Sequence, residues 1–218
     1  MGKFNLFKSR RMGCRGSKEE DDAGGGSKNG GGASGSAGAA AGGSTAAAPA
    51  AGPSSGVAQA DPRIPMTAKQ KYSLVASWKG IHRALEPTGI LMFVKLFEEN
   101  AELLDLFEKF QNLRTRQEQE ESLELAEHAT MVMNTLDNAI RTLDNPDAFF
   151  QFVEQVGSTH RRIPGYNKDY FWKIEKPFLE AVKTTLDERY TENIENIYKI
   201  AIRLIIETLV AGFEKAAG

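Results

Sequence analysis

The chain contains three histidines, His82, His128 and His160, and two of them fall where a helix would place apolar side chains. His128 shares a face of three-four-seven spacing with Leu125, Val132 and Leu136, and His160 shares one with Val153, Val156 and Gly157. An imidazole turned inward loses water at its ring nitrogens, and backbone, side chain or ligand must replace it. Taken singly, each is explained by a bond to a backbone carbonyl, and His160 also by the partial negative charge of a helix C-terminus. Taken together, two interior imidazoles on separate helices suggest one ligand between them. A flat iron porphyrin is one such ligand, and it accepts an imidazole on each face.

Other chemistry finds little footing in the sequence. There is no Gly-rich phosphate loop, no nucleophile elbow, no Cys/His zinc spacing and no His-Glu pair at metalloprotease spacing. Cys14 is the single cysteine, so no intrachain disulfide is possible and nothing points to an oxidising compartment. Of the net charge of -2, residues 1–60 contribute +3, which leaves -5 on the remainder. An acidic domain argues against nucleic acid as a partner, because affinity for phosphate backbones rests on Lys and Arg contacts.

The elements that must position the histidines read as helices throughout. Thr67 followed by Gln70 forms a capping box that opens a helix with Tyr72, Leu74, Val75, Trp78 and Ile81 on its apolar side. Pro87 suits the first turn of a second helix carrying Ile90, Leu91, Phe93, Val94, Leu96 and Phe97. A short apolar segment from Leu103 to Phe110 and a polar stretch from Arg114 to Glu121 lead to a longer helix with His128, Val132, Leu136 and Ile140 on one face. Asp144-Asn145-Pro146 is a stop-and-restart signal, and the next helix runs to about His160. Two long helices, about 167–185 and 191–215, complete the chain; Pro177 inside the first should kink it. With no alternating strand pattern bounded by hairpin turns, the fold class is all-α.

The N-terminal part differs in kind. Residues 1–22 form a basic segment, and 23–65 form a linker rich in Gly, Ala and Ser that is expected to be disordered, leaving 66–218 as the folded domain. Gly2 stands where N-myristoylation requires a glycine, Cys14 is a palmitoylation candidate, and six basic residues surround them, although Leu6 replaces the usual Ser or Thr. One acyl chain binds only marginally, so a second chain or the basic cluster would have to add to it on an anionic membrane surface. The plainer reading is an ordinary basic tail. No stretch is long and apolar enough to cross a membrane, and a cytoplasmic protein, soluble or attached to the inner face of the plasma membrane, is expected.

Trp78 precedes Phe107 by 29 positions, Phe107 precedes His128 by 21, and His160 follows His128 by 32. In this register, with the run Phe107-Glu108-Lys109-Phe110-Gln111-Asn112-Leu113 and the segment Val156-Gly157-Ser158-Thr159-His160-Arg161, the sequence resembles a globin across residues 66–215. Gly89 fits as well, at the place where the second helix would cross the His128 helix closely. The resemblance implies a three-over-three helical sandwich with crossings near about 50° around haem b. It assigns His160 as proximal iron ligand and His128 as the distal histidine, a sixth ligand or a donor to bound dioxygen. It places Phe107 against the porphyrin, Val132 over its distal face and Phe93 closing the pocket, with Val156, Tyr166 and Phe171 on the proximal side. Lys109 and Arg161 are candidates for the propionates. Ala101 stands where the family usually has a proline and Met131 where it often has a polar residue, which leaves the start of the short helix near Ala101 open.

Within the family, the paired histidines, Phe93 and the long N-terminus look most like the globin X and neuroglobin-like branch, commonly six-coordinate without external ligand. That resemblance implies binding of dioxygen, nitric oxide and carbon monoxide with a redox or signalling role instead of bulk oxygen transport. Two further classes stay open: nitrite reduction or nitric-oxide dioxygenation served by a separate reductase, and membrane-tethered electron transfer or lipid protection. A helical interaction module without haem is the bland alternative to all three.

Overall fold

Thr67 accepts a hydrogen bond from the Gln70 amide while the Gln70 side chain accepts from the Thr67 amide, and the reciprocal cap opens α1, Ala68–His82. In the computed structural model, which describes residues 61–216, six further α-helices follow: α2 Leu85–Glu99, α3 Arg116–Glu121, α4 Leu123–Arg141, α5 Pro146–Thr159, α6 Glu175–Leu186 and α7 Glu192–Lys215. The described residues contain no strand, and 3₁₀ segments make the tight connections. Gly2, Cys14, the basic segment and residues 23–60 of the linker lie outside the described residues. The packed chain begins a little before the expected boundary, because Ile64 and Met66 are buried in the core and Arg63 joins Asp61 to Asp147 at 2.7 Å each.

Local chemistry sets the helix limits. Asn145 accepts from the Ala148 amide with Pro146 at the first position of α5, and Thr191 accepts from the Ile194 amide at the start of α7. The expected helix over 167–185 is divided instead into a 3₁₀ segment, Lys168–Ile174, and α6. Pro177 thus stands in the first turn of α6, where its missing N–H has no partner to lose, and it does not kink the helix. Ala101 begins a 3₁₀ helix, Ala101–Leu106, without the family's proline. Buried Asn100 ties that start down, donating to the Leu96 carbonyl at 3.2 Å and accepting from Lys173 Nζ at 2.7 Å.

The helices pack as two layers around a single apolar core, α5 against α7, α2 against α4 and α6, and α1 against α7. Two of the crossings depend on glycine. A Cβ on Gly89 would lie 2.8 Å from Met133 Cγ and 3.1 Å from the Ala129 carbonyl oxygen, so α2 and α4 approach closely, as the sequence suggests. Gly157 of α5 and Gly212 of α7 are tighter still: a Cβ on the first would overlap the Leu209 carbonyl, and on the second that of Glu154. On α1 the apolar side is narrower than expected. Leu74, Trp78 and Ile81 are buried, whereas Tyr72 and Val75 face solvent.

Candidate functional site

His160 stands at the C-terminal end of α5, where the helix tightens into a 3₁₀ turn, His160–Arg162. Its Nδ1 lies 2.9 Å from the Val156 carbonyl oxygen one turn earlier. A carbonyl only accepts, so the proton sits on Nδ1, and Nε2 is left with its lone pair exposed as a base or metal ligand. Tyr166 and Phe171 enclose the ring, at centroid distances of 5.0 and 4.8 Å, with Phe213 of α7 beneath both at 5.9 and 6.0 Å. Burial lowers the imidazole's affinity for a proton, although the bond to Val156 works the other way. Burial likewise raises the Tyr166 phenol well above its ordinary range.

His128 occupies the inward side of α4 and is half-buried in an aromatic cage. The rings of Phe93 and Phe107 meet it edge-on at 5.1 Å each, and Phe110 lies at 5.8 Å. No hydrogen bond among the described residues reaches either of its ring nitrogens. Burial, reinforced by the charges of His160 and Lys109, pushes its pKa down to about 4, which keeps the ring neutral near pH 7. His128 stands in the second turn of α4 and His160 at the C-terminal end of α5, and the two imidazoles are within electrostatic reach of one another. Val132, one turn further along α4, is half-buried against the same core.

The fold therefore gathers most of the residues singled out above into one region. Phe93, Phe107, Val132 and His128 form one group, and His160, Tyr166 and Phe171 the other. Val156 takes part through its carbonyl, which orients His160. Lys109 is exposed, and the Arg161 guanidinium lies over the Phe213 ring at 4.8 Å. Three further aromatics belong to the site. Phe97 and Phe110 complete the cage around Phe107, which stacks on Phe110 at 4.8 Å, and Phe213 backs the His160 side. Phe97 and Phe110 follow Phe93 and Phe107 by four and three residues, a spacing that could have flagged them; Phe213 carries no such signal.

The donor set suits a soft-edged planar metal group better than a free ion. Among the described residues no three His, Cys, Asp or Glu side chains converge to hold a metal. Two neutral imidazoles, each with an unpartnered nitrogen and set among aromatic side chains, are instead the kind of ligands that would hold an iron porphyrin. Comparison with known proteins agrees in kind. The globin family model matches residues 90–209. A neuroglobin of Dissostichus mawsoni is 27% identical over 150 residues, covering 69% of this chain and 94% of its own length. Neuroglobin-1 of Oncorhynchus mykiss is 28% identical with the same coverage. Among solved structures, a hexacoordinated heme protein from an anhydrobiotic tardigrade, determined at pH 4, superposes with a TM-score of 0.68 at 40% identity, covering 71% of this chain and 99% of its own.

Proposed function

The chain belongs to the globin family, and on that premise we propose that it binds haem b and holds the iron between His160 and His128, with a redox or signalling role. The observation that carries the reading is the bond from His160 Nδ1 to the Val156 carbonyl at 2.9 Å. It fixes the tautomer and leaves Nε2 as the atom that would bind iron, an arrangement that would also raise ligand basicity. The neutral, unpartnered His128 in its phenylalanine cage supports a role as distal sixth ligand.

Haem iron, when bound, supplies one-electron redox chemistry and affinity for diatomic gases. The residues of this chain decide which of these is used. With haem bound, His128 would hold the distal side against dioxygen, nitric oxide and carbon monoxide, and apparent gas affinity would be the intrinsic affinity multiplied by the fraction of molecules in which His128 is released. Phe93, Phe97, Phe107 and Phe110 exclude water around it, and the low dielectric that results favours neutral ligands over ions. A protein that must first release its own side chain is poorly suited to bulk gas transport and well suited to sensing or electron transfer.

The test is the absorption spectrum of the purified, reduced protein without added ligand. Sharp, split visible bands mean that both histidines hold the iron. A single broad band means an open sixth position and removes His128 from the ligand set, and a colourless protein that folds stably overturns the haem assignment altogether.

A further inference from the structure

Asp137 of α4 is buried, and three groups converge on its carboxylate. Trp78 Nε1 donates to Oδ1 at 2.8 Å, His82 Nδ1 lies 3.2 Å from the same oxygen, and Arg141 Nε donates to Oδ2 at 2.7 Å. The network holds His82 and Arg141, which line a cleft of about 220 Å³ between α1 and the end of α4. Lys79, Arg83 and Arg141 line it beside Val75, which is partly exposed, and beside Trp78 and Ile140, which are buried beneath it. Asp137 follows His128 by nine residues, about 13 Å along the helix axis, so the cleft is separate from the paired histidines.

The charge balance at this cleft runs against that of the domain. The α1 segment carries Lys69, Lys71 and Lys79 with no acid, and Arg83 follows directly. Lys71 is neutralised by Asp144 at 2.6 Å. Among the described residues no carboxylate pairs with Lys79 or Arg83, and Arg141 spends only its Nε on Asp137. Two helix C-termini, each worth about half a negative charge, and Asp137 together offset about two of the three cations. The remainder is positive, over an apolar lining that includes the partly exposed Val75.

We infer that this cleft is a binding site for a small organic anion, a carboxylate or phosphate ester attached to an apolar ring or short chain. Lys79, Arg83 and the free Nη groups of Arg141 receive the anionic end, and Val75, over the buried edges of Trp78 and Ile140, receives the apolar body. Asp137 is a positioning residue here, since it fixes two of the walls from behind and leaves the ligand to others. The volume limits the ligand to about the size of one ring with its charged group.

Calorimetric titration of the full-length protein with phenyl phosphate at low salt tests the site. Saturable one-to-one binding is expected, at least about tenfold weaker in the Lys79→Ala/Arg83→Ala double variant and unchanged in Lys199→Ala on another surface. Both altered side chains are exposed, so the fold should survive. Benzoate should bind through the same residues, inorganic phosphate more weakly for want of the ring, and benzyl alcohol not at all. No saturable binding, full affinity in the double variant, loss in Lys199→Ala, or equal binding of inorganic phosphate or benzyl alcohol would each overturn the assignment.

Discussion

His160 Nδ1 stands 2.9 Å from the Val156 carbonyl oxygen on the preceding turn, and this single bond decides which nitrogen of the ring is available for chemistry. His160→Ala removes that nitrogen while leaving Tyr166, Phe171 and Phe213 in place as an apolar wall. Haem retention is expected to fall by at least about tenfold, read as the ratio of Soret to protein absorbance after gel filtration. Added imidazole should restore part of it. Retention equal to the parent protein would mean that the ligand atom lies elsewhere.

His128→Leu should leave the domain folded and open the sixth position. With the internal competitor gone, carbon monoxide should bind faster by the reciprocal of the fraction normally open, on the order of 10- to 1000-fold, measured by flash photolysis. The same residue gives the haem-free protein a pH signature. Its pKa is held near 4 in the fold by burial, below the ordinary histidine value, so the unfolded chain takes up a proton first as pH falls. Stability should thus be whole above about pH 6.5 and decline from there towards pH 4. Urea midpoints across that range should fall less steeply in His128→Leu than in the parent.

Much of this arrangement is legible from local sequence because local chemistry produces it. The Thr67–Gln70 cap, the Asn145-Pro146 restart and the spacing that brings His128 inward each act within a turn or two of helix. Gly89 is readable for the same reason, as a residue with no Cβ on an otherwise large-sided helix. What residue types do not show is where a backbone segment changes its winding and which groups a side chain meets. Pro177 looks like a helix interior residue until the 3₁₀ segment before it shifts the start of α6. Asp137 resembles any solvated acid on a helix face, because its three partners come from α1 and from the next turn. The Val156 carbonyl contact to His160 is not readable at all, because a carbonyl leaves no trace in residue type.

The Gly157–Gly212 crossing depends on a pair far apart in sequence, and Gly157 lies in the last turn of the helix that His160 caps. In Gly157→Ala the new methyl meets the Leu209 backbone, which cannot move aside as a side-chain tip can. A loss of about 3 kcal/mol is expected, or roughly 10 °C in melting temperature, with weakened haem retention. Gly80→Ala provides the contrast. Its nearest neighbour is the terminal Leu186 Cδ2 at 3.0 Å, and alanine favours the helix by about 1 kcal/mol, so stability should change by less than about 1 kcal/mol. Equal effects of the two substitutions would contradict the crossing argument.

Asp137 joins α1 to the helix that bears His128, and its removal should be felt in both stability and acid tolerance. Burial alone would raise its pKa, but the bonds from Arg141 and Trp78 outweigh that and the group ionises below its ordinary value. The folded chain then keeps the charge at a pH where the unfolded chain has lost it. The resulting stabilisation is present above about pH 4 and disappears as pH falls through the folded-state value. Asp137→Ala strands the Trp78 N–H in the interior and should cost about 2–3 kcal/mol at pH 7. Asp137→Asn can still accept from Trp78 and should cost less, while showing a smaller drop in urea midpoint between pH 7 and pH 3 than the parent protein. If the parent and Asp137→Asn lose stability in parallel over that range, the carboxylate is not the group that ties α1 to α4 by charge.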